Sequence, residues 1–70
     1  MNRITIKVRS GDIYRAVLRR KDDGCAYTVY DTDGIVVCQG WTLGTAKDGK
    51  EEAMFHLEKT ISQAEQAASK

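Results

Sequence analysis

Residues 27–37 read Tyr27-Thr28-Val29-Tyr30-Asp31-Thr32-Asp33-Gly34-Ile35-Val36-Val37, which is two β-type stretches on either side of a polar turn. Asp at the first turn position and Gly at the last are typical of a β-turn, because Asp bonds nearby backbone and Gly tolerates unusual dihedrals. β-branched and aromatic residues favour strands on both sides. Since so short a connection joins antiparallel neighbours, we expect a hairpin of strands at about residues 25–31 and 35–40.

Two further strands are predicted before this hairpin. Residues 3–9 alternate strictly between polar and β-branched side chains, the pattern of a half-buried strand. Ser10-Gly11-Asp12 supplies turn chemistry, and residues 13–21 continue with a weaker alternation. Asp22-Asp23-Gly24 predicts a tight turn that Gly24 closes in the left-handed conformation.

After the hairpin, Gly40-Trp41-Thr42-Leu43-Gly44 is expected to break the strand pattern, and residues 45–67 predict one amphipathic helix. Thr45 is placed to cap this helix, with Asp48 completing a capping box. Gly49 costs about 1 kcal/mol relative to Ala inside a helix, so we expect it to let the helix approach the sheet closely.

The predicted fold class is α+β: a four-stranded antiparallel β-meander with one C-terminal amphipathic α-helix packed on one face, in the order ββββα. Seventy residues allow one domain, residues 1–70. Trp41 is expected to cap one end of the core. The other expected core residues are Ile4, Ile6, Val8, Tyr14, Leu18, Tyr27, Val29, Ile35, Val37, Ala53, Met54, Leu57 and Ile61.

One helix cannot cover both faces of a four-stranded sheet, so the second face must meet water or a partner. Residues 1–21 contain seven basic residues and one acidic residue, whereas the rest contain four basic and nine acidic residues. A basic surface with an aromatic side chain suits phosphate contacts, base stacking or an acidic protein. Equally, Arg and Lys could simply solubilise an exposed sheet and protect its edges. By alternation the uncovered face carries Arg3, Thr5, Lys7, Arg9, Arg15, Val17, Arg19, Thr28, Tyr30, Val36 and Cys38.

The sequence contains no recognisable catalytic or metal-binding constellation. His56, the sole histidine, has no motif that supplies a nucleophile or carboxylate, so we expect it to be exposed or to flank the core. Cys25 and Cys38 are thirteen residues apart, which fits no clustered zinc spacing. We expect both to be reduced and partly buried, unless their strands pair in a register that allows a disulfide. No enzyme activity, catalytic residue, metal, cofactor or small-molecule substrate is predicted.

Residues 27–37, followed by Gly44-Thr45-Ala46-Lys47-Asp48-Gly49-Lys50-Glu51-Glu52-Ala53, resemble the back half of a double-stranded-RNA-binding domain. The resemblance implies a hairpin and then a helix whose N-terminal lysines, here Lys47 and Lys50, straddle phosphates. The chain departs from that pattern at Leu43 and Ala46, where the family has a glycine and a lysine, and strand-like residues replace its first helix. With Gly40-Trp41-Thr42-Leu43 leading into the helix, the stretch is also similar to HicB-type antitoxin domains, which act by binding a toxin.

These patterns predict a small non-catalytic binding module that engages nucleic acid or an acidic protein. The predicted contact residues are Arg3, Lys7, Arg9, Arg15, Arg19, Tyr30, Lys47 and Lys50. The alternative is a protein-binding inhibitor or regulator, of mobile-element or antitoxin type, that masks a partner surface. A homodimer that pairs its open faces or edge strands is a third hypothesis. Since no apolar run is long enough for a membrane span and no signal-peptide block is present, we expect a cytoplasmic protein without a membrane partner.

Overall fold

The computed structural model describes residues 2–8 and 10–68. Within these ranges four strands, β1 (Asn2–Lys7), β2 (Ile13–Lys21), β3 (Gly24–Tyr30) and β4 (Val36–Leu43), precede one helix, α1 (Ala46–Ala68). The strands lie in the order β1-β2-β3-β4, and every neighbouring pair is antiparallel. The predicted α+β meander followed by a C-terminal helix is confirmed.

β4 is longer than the sequence pattern predicts and does not break at Gly40. Gly40 pairs with Tyr27 and Trp41 pairs with Ala26, so pairing continues to Leu43. Glycine at this position lets the Tyr27 ring lie close against the β4 backbone, because a Cβ at Gly40 would lie 2.6 Å from the Tyr27 hydroxyl oxygen. The interpretation of residues 40–44 as a connection to the helix is therefore wrong for all but Gly44.

An irregularity in the pairing of β3 with β4 changes which face of the sheet part of β4 presents to the helix. Val29 pairs with Cys38, but the next residue, Tyr30, pairs with Val36, so Val37 is an extra residue on β4. A bulge of this kind interrupts the alternation, so that the residues after it point to the opposite face from the one that simple alternation predicts. Cys38 is consequently buried on the helix side at 8% exposure. Ile35 lies in the connection before β4 and is 63% exposed. The predictions that Cys38 lies on the uncovered face and Ile35 in the core are both wrong.

Two turns connect β2, β3 and β4, and one differs from its prediction. The residue with a left-handed backbone between β2 and β3 is Asp22, at φ 56°, whereas Gly24 begins β3. Asp residues tolerate this region better than most. The next turn forms as predicted: an Asp31 carboxylate oxygen accepts hydrogen bonds from the backbone N–H groups of Asp33 and Ile35, both at 2.9 Å.

The helix packs on one face of the sheet through small and apolar residues. Gly49, Ala53 and Leu57 are its buried positions. A Cβ at Gly49 would collide with the Cys25 sulfur, so the expected close approach of helix and sheet at this glycine is confirmed. The prediction that Met54 lies in the core is wrong: it is 36% exposed because it lies one position beyond the buried stripe. The buried cluster is Ile6, Ala16, Leu18, Cys25, Tyr27, Val29, Cys38, Ala53 and Leu57.

The helix begins with the predicted pairing of Thr45 and Asp48. One Asp48 carboxylate oxygen accepts hydrogen bonds from the Thr45 backbone N–H at 2.8 Å and from the Thr45 hydroxyl at 3.0 Å. These two bonds favour the ionised carboxylate and hold the pKa of Asp48 below its ordinary value of 3.8. The charge also lies in the first turn, where it complements the helix dipole.

We expect Asp48→Asn to lower the free energy of unfolding at neutral pH but not in acid. Because the folded pKa is lowered, the carboxylate stabilises the fold above 3.8, and this contribution is lost as the pH falls through the folded pKa. The amide resembles the protonated carboxyl, so urea midpoints of the variant and the wild type should converge as the pH falls progressively below 3.8. Glu65→Gln is the control at the other end of the helix; a gap for Asp48→Asn that stays constant with pH would contradict the prediction.

Candidate nucleic-acid interface

The sheet face opposite α1 is built from every second residue of each strand, because strand side chains alternate between faces. Cross-strand pairing aligns these residues in rows. One row runs Thr5, Arg15, Tyr30 and Val36. We call this surface the basic face; its residues are Arg3, Thr5, Lys7, Ile13, Arg15, Val17, Arg19, Lys21, Gly24, Ala26, Thr28, Tyr30, Val36, Gln39, Trp41 and Leu43.

Positive charge on the basic face is not offset by carboxylates within the strands. None of the four described strands contains an Asp or Glu residue. The acidic residues of the amino-terminal half lie in the connections at the two ends of the sheet, at positions 12, 22, 23, 31 and 33. The exposed cations of the face are Arg3, Lys7, Arg15, Arg19 and Lys21. Arg9, which the sequence also assigned here, lies outside the described residues.

Trp41 stands at one end of the basic face. Its indole N–H donates a hydrogen bond to the Lys21 carbonyl oxygen at 3.1 Å, and its ring lies against Gly24, where a Cβ would collide with it. The side chain is nevertheless 48% exposed. The predicted position of Trp41 as a cap on the core is therefore wrong, because β4 continues past Gly40 and directs residue 41 to the opposite face.

A shallow depression surrounds Trp41. Its lining combines the cations Arg19 and Lys21 with the hydrogen-bonding side chains of Thr28 and Gln39, and Asp22 borders it from the adjacent turn. Arg19, Ala26 and Trp41 share one cross-strand row. Ala26 is small, so no large side chain of this row lies between Arg19 on β2 and Trp41 on β4.

A second depression occupies the other end of the basic face, around Tyr30. Arg15 pairs directly with Tyr30 across β2 and β3, and Arg3 and Val17 lie one row further along. Asp31 and Asp33 border this depression from the adjacent turn. The structure therefore brings Tyr30, Arg3 and Arg15 together at this end of the basic face, as the sequence predicts.

Lys47 and Lys50 are not part of this surface. Both are exposed residues of α1, and the helix covers the opposite face of the sheet. The helix bears five acidic residues and three lysines, so α1 carries a net negative charge whereas the basic face carries a net positive charge. The predicted contact set is thus divided between two sides of the molecule. No helix in the described ranges combines the length and apolarity that a membrane crossing requires.

His56 is half-buried and tied to the sheet. Its Nδ1 shares a hydrogen bond of 2.9 Å with the Tyr27 hydroxyl, and the two rings meet edge to face at a centroid distance of 5.8 Å. Burial is the main cause that raises the pKa of Tyr27 above its ordinary value. The prediction that His56 flanks the core is confirmed, since its ring contacts the buried Tyr27.

The two cysteines are free and buried, as expected. Cys25 pairs with Thr42 whereas Cys38 pairs with Val29, which separates the cysteines by four residues, about 13 Å, along the strand direction. A disulfide needs Cα atoms within about 7 Å, so this register excludes one. Burial raises the pKa of the Cys38 thiol, which disfavours the reactive thiolate. No group of three His, Cys, Asp or Glu residues in the described ranges is arranged to hold a metal ion.

Among the polar and aromatic residues of the basic face, sequence reasoning missed Lys21, Gln39 and Trp41. Lys21 follows the alternation of Arg15 and Arg19 along β2 and could have been included from that pattern. Gln39 was missed because alternation without the bulge places Cys38 on the uncovered face and Gln39 on the other. Trp41 was missed because the glycines at positions 40 and 44 suggested a break. The pairing of Gly40 with the aromatic Tyr27 marks the longer strand, but this pairing depends on the register of β3 with β4 and is not visible in the sequence.

No known protein family, curated protein or solved structure matches this chain.

Proposed function

We propose that this protein is a non-catalytic binding module that engages nucleic acid through its basic face. The observation that supports the proposal is the grouping of Arg3, Lys7, Arg15, Arg19 and Lys21 on one sheet face whose strands contain no carboxylate. Clustered cations attract a polyanion and release its counterions, which is the main source of affinity in nucleic-acid binding. Tyr30 on β3 and Trp41 on β4 add aromatic surface beside these charges, which lie on β1 and β2.

Salt dependence tests the electrostatic part of this proposal. Five phosphate contacts would give a slope of roughly −3.5 in a plot of log affinity against log salt concentration for a single strand, and about −4.5 for a duplex. The measurement is fluorescence anisotropy of a labelled oligonucleotide at salt concentrations from about 50 to 200 mM, the range over which such contacts lose most affinity. Affinity that does not change with salt would contradict the proposal.

Matched charge reversals locate the binding surface. Arg15→Glu combined with Arg19→Glu should weaken binding by roughly a hundredfold, because two contacts become repulsive, and should flatten the salt slope by about 1.4 or more. Lys47→Glu combined with Lys50→Glu changes the net charge by the same amount on the helix side, and we expect a much smaller effect. If both double variants weaken binding equally, affinity follows total charge and not the basic face.

A protein partner is the second candidate, and the exposed apolar residues at the margins of the basic face favour it. Ile13, Val36 and Leu43 are 46%, 48% and 67% exposed. Such residues suit an acidic protein surface or a second copy of this chain more than a phosphate backbone. Sedimentation velocity over a range of protein concentrations separates these cases: a dimer weakened by Val36→Glu but unaffected by nucleic acid would favour the homodimer over the proposed function.

A further inference from the structure

Resting on the proposed function, we infer that the basic face binds single-stranded nucleic acid, with Trp41 and Tyr30 as the surfaces on which bases stack. A cluster of cations alone would attract a single strand and a duplex alike. The fixed position of Trp41 and the arginine in the same row as each aromatic residue favour a single strand.

Trp41 is held in place before any ligand binds. The hydrogen bond from its indole N–H to the Lys21 carbonyl oxygen, 3.1 Å long, fixes one edge of the ring. Gly24 has no side chain, so the ring rests against the β3 backbone on one side. With 48% of the residue exposed, the remaining surface is open to a planar ligand. A ring that is already oriented loses little conformational freedom on binding.

Each aromatic residue shares a cross-strand row with an arginine. Tyr30 pairs directly with Arg15, and Trp41 lies in the row of Ala26 and Arg19. A base stacked on either ring would therefore have a guanidinium on the same row to meet its phosphate. Ala26 and Tyr30 are four residues apart on β3, so the two rows are separated by about 13 Å. A flexible single strand covers that distance in a few nucleotides.

A duplex does not fit this arrangement. The outer strands of a four-stranded sheet are about 15 Å apart, whereas the major groove of a duplex is only about 12 Å wide and admits a helix or a two-stranded ribbon. The bases of a duplex are also stacked on one another, so their faces cannot reach Trp41 or Tyr30. A duplex could contact the cations only along its backbone.

The test uses the fluorescence of Trp41, the only tryptophan in the chain. The protein is titrated with dT12, with rU12 and with a 12-base-pair duplex at equal phosphate concentration. We expect a single strand to quench Trp41 and to bind at least tenfold more tightly than the duplex, because base stacking on an aromatic residue is typically worth roughly tenfold or more in affinity. Comparison of dT12 with rU12 shows whether DNA or RNA is preferred, and tighter binding of either supports the inference.

Variants separate stacking from charge. Trp41→Ala should weaken single-strand binding roughly tenfold while leaving duplex binding and the salt slope unchanged, and Tyr30→Leu should act similarly without removing the Trp41 signal. Phe55→Ala is the control, since Phe55 is an aromatic residue 65% exposed on α1. If single strands and the duplex bound with equal affinity, and if neither Trp41→Ala nor Tyr30→Leu changed single-strand affinity, this inference would be overturned while the proposed function would stand. Absence of binding to all three probes would overturn the proposed function itself.

Discussion

Leu57→Ala should lower the free energy of unfolding by about 2–5 kcal/mol, the usual cost of removing a fully buried leucine side chain. Leu57 is completely buried where α1 meets the sheet, among the largest side chains of the core. A chain of this size has a total stability of only about 4–10 kcal/mol, so the variant should lose a large part of it. The measurement is urea denaturation followed by far-UV circular dichroism.

The control for Leu57 lies two residues earlier on the same helix. Phe55 is a larger apolar side chain but is 65% exposed, so Phe55→Ala should change stability by no more than about 0.5 kcal/mol. The contrast tests which side of α1 docks on the sheet. If Phe55→Ala were as costly as Leu57→Ala, the helix would be packed through a different stripe, and the assignment of the covered face would fail.

Gly24→Ala should destabilise the protein by about 1–3 kcal/mol and displace Trp41 from its position on the basic face. A Cβ at residue 24 would collide with the Trp41 ring and with the Thr42 carbonyl oxygen. The ring can rotate away, but the carbonyl belongs to the paired backbone of β4, so part of the clash cannot be relieved cheaply. Urea denaturation gives the stability, and the emission maximum of Trp41 reports the position of the ring.

Gly34→Ala is the control for that emission change. Gly34 has a left-handed backbone at φ 81° and open space where a Cβ would lie, so an alanine there strains the turn but does not touch Trp41. We expect a loss of about 1 kcal/mol with unchanged emission. In the double variant Gly24→Ala/Trp41→Ala the total cost should be smaller than the sum of the two single costs, since the ring clash is gone. Additive costs would show that Gly24 does not position the indole.

The meander could be predicted because its determinants are local. Asp31 and Gly34 place a turn between two β-type stretches, and the period of two in residues 3–9 distinguishes the two faces of β1 without knowledge of its partner. The grouping of Arg3, Lys7, Arg15 and Arg19 on one face follows from the same periodicity. These inferences need only the alternation of side chains along regular strands.

The errors arise where a residue's position depends on a neighbouring strand. The bulge at Val37 is set by how β4 pairs with β3, and it moves Cys38 into the core. Ile35 is exposed and lies outside β4, which begins only at Val36. The role of Gly40 depends on the Tyr27 ring opposite it, which cannot be known before the register is known. The position of Trp41 was predicted wrongly for the same reason. With β4 expected to end at Gly40, the indole was assigned to the end of the core, whereas the continuing strand places it on the basic face.

We expect ligand contact on the sheet face that α1 leaves uncovered. Methyl chemical-shift mapping tests this directly, because isoleucine, leucine and valine residues lie on both sides of the sheet. On titration with dT12 we predict the largest changes at Ile13, Val17 and Val36 of the basic face, with little change at Val29 and Leu57 beneath the helix. Changes concentrated at Leu57 and Ile61, with the basic-face methyl groups unmoved, would contradict the claim.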